Sequence, residues 1–137
     1  MNPFYPSVAT LARHRCEYCR APEAIFNAPF EVEHVCPVSR GGKSVLENLA
    51  LACRHCNLWK SNILRVDDWP DSATAGIPGD VSLFNPRKDQ WADHFEVVGH
   101  AIVGKTSSGR FTVLLLRMNA PRTIEARKHW AAIGLFP

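Results

Sequence analysis

The sequence predicts an α+β fold with a small core held by a cross-link, and three observations point to it. Two C-x-x-C pairs, Cys16-Glu-Tyr-Cys19 and Cys53-Arg-His-Cys56, bracket residues 20–52. Inside that bracket, Phe30 to Val38 alternates in polarity and is rich in Val, as a strand does. Towards the end of the chain, Pro121 followed by Thr123 to Ile133 and then Gly134 reads as a helix with its start and stop signals in place.

In chain order, Ser7 to Arg13 is expected to be a short helix leading into the first cysteine pair. The strand over Phe30 to Val38 is followed by Ser39 to Lys43, whose Gly41-Gly42 suits a turn with positive φ. Ser44-Val-Leu-Glu47 has the form of a capping box, with a helical turn or short strand through Leu49 and Leu51 after it. The second cysteine pair leads into Asn57 to Leu64, whose apolar spacing suits a helix packed back on the strands. Val66 to Asp80 is rich in Pro, Gly, Asp and Ser, and reads as a linker or long loop. Phe95 to Val98 and Ala101 to Lys105 form an expected hairpin turning at Gly99-His100. Gly109 to Met118 is open between strand and helix. The expected units are therefore residues 1–65, a connection over 66–80, and a small mixed extension over 81–137 that packs its hairpin and helices on the core.

The composition is that of a soluble globular protein: 46% hydrophobic and 21% charged. No apolar run is long enough to cross a bilayer. The stretch MNPFYPSVAT lacks the basic and apolar regions of a secretion signal, so the expectation is a cytoplasmic protein with no membrane partner. In that compartment thiols stay reduced, and two C-x-x-C pairs then read as a four-ligand site for a structural zinc ion on Cys16, Cys19, Cys53 and Cys56. With four protein thiolates the coordination shell is closed, so this ion would staple the fold rather than react. Cys36 is left over, and is expected to be a small buried apolar residue on the strand. The formal charge of +3 falls to about +1 with a zinc tetrathiolate. A basic surface must therefore come from local clusters: Arg13, Arg15 and Arg20; Arg40 and Lys43; or Arg122, Arg127 and Lys128. For each, a solvated face is the competing reading. His14, His100 and His129 suggest no role. Trp59, Trp69 and Trp130 read as core residues, and Trp91 to Phe95 as packing or a cap rather than a metal site. His55 reads as exposed or phosphate-facing.

The ordered phrases EHVCPVSRGG, ENLALAC and RHCNLWK resemble the HNH endonuclease family, over about Cys16 to Asn62. The later stretch resembles the C-terminal extension of some bacterial members. The resemblance implies a ββα-metal (HNH/His-Me finger) core and a metal-dependent DNA endonuclease or nickase acting on double-stranded DNA. By position it assigns His34 as general base and Asn48 as the residue that fixes the loop and the base. Glu33 and Asn57 are implied ligands of a catalytic Mg²⁺ or Mn²⁺, their hard oxygens favouring these ions over a second zinc. Lys60 stands near phosphate in this alignment, and Arg40, Lys43 and Arg54 are further expected nucleic-acid contacts. Glu33 departs from the family's usual Asp or His, and Cys36 from its usual aliphatic residue. Neighbouring strand residues face opposite ways, so Glu33 and His34 can share a site only if the strand ends or bulges between them. A non-catalytic zinc module that binds nucleic acid is the alternative, and a protein-interaction zinc domain a third.

Overall fold

Glu31 to His34 buries Glu33 alone among its four residues, and it forms the first strand of the fold. The computed structural model describes residues 1–137. Strand β1 (Glu31–His34) pairs antiparallel with β2 (Leu49–Ala52), with Glu33 opposite Ala50 and His34 opposite Leu49. All four residues of β2 are buried, because helices and loops cover both of its faces. Helix α1 (Tyr5–Leu11) packs Val8 and Ala9 inward. Helix α2 (Arg54–Lys60) begins immediately after Cys53 and returns across the β1–β2 hairpin.

The second half contains a one-turn helix α3 (Trp91–His94), a hairpin of β3 (Phe95–Val98) and β4 (Ala101–Gly104), then α4 (Ser107–Leu115) and α5 (Pro121–Ala132). Gly99 turns the hairpin at φ +63°. The ambiguous Gly109 to Met118 stretch is helical through Leu115 and ends in a turn. Thr106 caps α4 through its Oγ1, which accepts from Gly109 N at 2.9 Å. Gly109 itself lies so close to the His94 carbonyl oxygen that any side chain would collide with it. This explains a glycine inside a helix, where propensity alone disfavours it.

One buried cluster runs through both halves, from Val8 and Tyr18 through Leu49 and Leu51 to Phe84, Phe95, Phe111 and Leu116. Phe84 meets the Tyr18 ring edge-on at 6.4 Å between centroids. The Trp91 indole donates to the Tyr18 carbonyl at 2.8 Å. Between the halves, residues 66–68 and 72–74 form short 3-10 turns, with Val66 and Thr74 buried.

Some boundaries differ from the sequence reading. The strand ends at His34, not Val38, because Pro37 cannot donate in a ladder and starts a 3-10 turn over Val38–Arg40. No capping box forms at Ser44 to Glu47: Val45 precedes the turn Leu46–Asn48 and makes no side-chain cap. Cys36 lies beyond the strand and is half-buried, its Sγ directed to the Arg40 carbonyl at 3.7 Å.

Candidate active site and metal centre

The two C-x-x-C knuckles meet. All four sulfurs lie within 4.8 Å of one another and all four residues are buried, and Cys19 Sγ stands 3.8 Å from Cys53 Sγ. Zn–S bonds of about 2.3 Å in a tetrahedron require sulfurs about 3.8 Å apart. The first knuckle is locked to β2, with Glu17 N donating to Leu51 O at 2.9 Å and Glu17 Oε2 accepting from Leu51 N at 2.9 Å. Hydrogen bonds from Cys16, Cys19 and Cys56 push the Cys53 thiol far below its ordinary range. The same contacts, led by Cys16, hold Cys19 and Cys56 well above it. A zinc ion bound here would hold all four sulfurs as thiolates. The donor set fits zinc. Cys53 has a second task, because its Sγ accepts from Cys56 N at 3.5 Å and caps α2.

The loop after β1 is built on Asn48. Its Oδ1 accepts from Cys36 N at 2.8 Å, and its Nδ2 donates to Cys36 O at 3.0 Å and Lys43 O at 2.9 Å. Gly41 takes φ +89°, and a side chain on Gly42 would strike the Cys36 carbonyl oxygen. The fold thus requires both glycines. His34, half-buried, sits under this loop with its Nε2 2.8 Å from Ser44 Oγ.

Glu33 faces the other way. The ladder is regular through His34, so the two side chains lie on opposite faces, and the break comes one residue too late to turn both to one point. The Glu33 carboxylate is 6% exposed. Tyr18 Oη donates to its Oε1, and Lys60 Nζ lies 3.2 Å from its Oε2. Burial pushes the Glu33 carboxyl up, while Lys60 and Tyr18 pull it down. Burial also raises the Tyr18 phenol well above its ordinary value, with the Glu33 charge adding to it. Lys60 is fully buried and gives a further hydrogen bond to His34 O at 3.1 Å. It is therefore not a surface phosphate contact: α2 carries it under the hairpin, where it pairs with Glu33.

Asn57 does not meet Glu33. Its Nδ2 donates to Glu31 Oε2, two residues earlier on the same face of β1, and Arg54 Nη1 lies 3.6 Å from Glu31 Oε1. As placed, Glu33 and Asn57 do not converge on one divalent ion. Glu33 would need Lys60 to withdraw, whereas Glu31 already stands beside Asn57. Among the other expected contacts, Lys43 is exposed and Arg54 is 87% exposed. Arg40 is committed to Asp68, with Nη1 to Oδ2 at 2.5 Å. His55 is neither exposed nor a ligand; its Nε2 meets the Leu116 carbonyl at 2.8 Å. Arg127 leaves the expected basic surface. It is 1% exposed, and its Nε donates to His100 O at 2.6 Å. Burial lowers its pKa, and the Cys19 and Cys56 thiolates oppose that.

Three partners escaped the sequence reading: Tyr18, Ser44 and Glu31. Glu31 could have been found from the i, i+2 rule, which places it on the face of Glu33. Ser44 was masked by its resemblance to a helix cap. Tyr18 carried no signal beyond its place between two cysteines.

The hairpin, glycine loop and following helix, joined by a four-cysteine cluster, form a small mixed α/β unit. Residues 16–62 match the family model described as HNH endonuclease, and this segment is an HNH endonuclease domain. No curated protein and no solved structure matches the chain. No helix is long and apolar enough to cross a membrane.

Proposed function

We propose that this protein hydrolyses phosphodiester bonds in DNA as an endonuclease or nickase, with His34 as general base and a structural zinc on the four cysteines. The observation that carries this reading is the His34 imidazole, held by Ser44 Oγ under a loop that Asn48 braces with three hydrogen bonds. In the tautomer whose Nε2–H donates to Ser44 Oγ, the other ring nitrogen keeps the lone pair that can take a proton from the attacking water. Asn48 keeps the loop from moving away from the base. One such site cuts one strand per event. A divalent ion, Mg²⁺ or Mn²⁺, would supply charge opposite the phosphate and polarise it. Its candidate ligands are Asn57 with Glu33, if Lys60 yields, or Asn57 with Glu31. No step is assigned through it.

The test is nicking of supercoiled plasmid with Mg²⁺ or Mn²⁺, with and without EDTA, by the wild type and by His34→Ala. Cleavage that needs both the metal and His34 is the expected result. A second reading, a non-catalytic module that binds nucleic acid, draws support from the Lys60–Glu33 pairing, which leaves that carboxylate no free approach. DNA binding with no cleavage in any metal would favour it.

A further inference from the structure

We infer that the cleft between the first zinc knuckle and the segment 84–91 is a second contact for the phosphodiester backbone, away from His34. It has a volume of about 260 Å³ and is lined by Arg13, Arg15 and Arg20 with Trp91, Glu17 and Asp89, among others. None of its lining residues belongs to β1, the glycine loop or α2. Three guanidinium groups share this space, and none has a carboxylate partner. The Glu17 charge is already spent on Arg87. Asp89 accepts from Asn85 N at 3.0 Å and remains the one carboxylate against three cations.

The backbone builds this crowding. Arg13, His14 and Arg20 all hold positive φ, at 54°, 55° and 68°, a conformation that side-chain-bearing residues avoid. Arg15 Nη1 donates to Arg20 O at 3.0 Å. Arg20 lies over the Trp91 ring, its Cζ 4.8 Å from the centroid, a cation–π contact at the cleft wall. Guanidinium groups that lack a carboxylate partner gain from an anion, and their planar donors match phosphate oxygens. Contacts to backbone phosphates fix the register of a duplex without reading bases. The ligand class rests on the DNA-cleaving reading above; the demand for a phosphate anion does not.

The experiment measures binding of a short duplex, by anisotropy, against KCl concentration, with Mg²⁺ and Mn²⁺ withheld to prevent cutting. It compares the wild type with Arg13→Gln and with the Arg13→Gln/Arg20→Gln double variant. Each lost phosphate contact flattens the slope of log K against log salt by about 0.9. The expected result is about one such step for the single variant and two for the double. Zinc content should be unchanged, as should nicking at saturating DNA. An unchanged slope and affinity in both variants, while the wild type still nicks, would overturn the second contact and leave the nuclease reading standing. Pyrophosphate separates the converse case. If the wild type neither binds nor cuts DNA, but pyrophosphate raises its melting temperature and not that of the single variant, the anion site stands and the nuclease reading falls. If pyrophosphate stabilises neither protein and no DNA binds, both fall.

Discussion

Lys60 and Glu33 face each other with side chains 1% and 4% exposed, and that closeness sets the chemistry available to both. Removing one member of a buried ion pair typically costs about 3–5 kcal/mol, because the other charge is left without compensation. Lys60→Met should therefore lower stability by an amount of that order at neutral pH, measured by chemical denaturation. Burial holds the Glu33 carboxyl above its ordinary value. A carboxyl raised on folding favours the native state while protonated, and that contribution disappears as pH rises through the folded pKa. The deficit of Lys60→Met should thus be largest near neutrality and shrink as pH falls towards the ordinary carboxylate range. A deficit independent of pH would mean that lost packing, not lost charge, is responsible. His34→Ala removes no buried charge, so it should fold and keep its zinc. Plasmid nicking should fall by about 10²–10⁴-fold, the usual contribution of a general base. If cleavage by His34→Ala equals wild type in matched metal and salt, His34 is not the base.

At the scale of elements, the zinc knuckles and the glycine loop were legible in the sequence because each is encoded by local covalent or backbone demands. Thiols at fixed spacing meet at one point, and a left-handed turn needs Gly41. The hairpin at Gly99 and the helix after Pro121 were legible for similar reasons. The inward turn of Lys60 was not, since a motif fixes position along a helix but not the depth to which the helix packs. Nor was the partner of Asn57, which depends on the phase of β1 under α2. The loop also gains a clasp from outside the motif, the Arg40–Asp68 pair. Arg40's hydrogen bond holds the Asp68 carboxyl below its ordinary value, helped by the Leu64 and Arg65 amides. A carboxyl lowered on folding stabilises above its unfolded pKa and ceases to do so as pH falls through the folded value. The melting temperature of the wild type should therefore drop more steeply in acid than that of Asp68→Asn, seen as a flatter acid limb in the variant. Equal limbs would show that the clasp is electrostatically idle.

At the scale of the whole molecule, the proposed division at residues 66–80 can be read by limited proteolysis. Pro70 to Ala73 is exposed and should be cut first, as exposed loop tips are. Cleavage first within residues 30–64 would rule out this organisation. A zinc ion on the four cysteines would govern the other global property. A ligand that binds only the folded chain contributes its binding energy to folding. Cys19→Ser should therefore lose the metal, about one zinc per chain by elemental analysis, and unfold the core. A folded Cys19→Ser protein without zinc would refute the four-cysteine assignment.

The sulfur of Cys53 caps α2, the helix that carries Asn57 and Lys60, and is one of the four proposed zinc ligands. Its two duties cannot fail separately, which turns a static feature into a statement about timing. A zinc-selective chelator, added with Mg²⁺ in excess, would strip the ion and loosen the first turn of α2 in one event. Loss of nicking should then follow zinc release without a lag, the two time courses superimposing, while the far hairpin at Gly99 keeps its amide protons protected from exchange for longer.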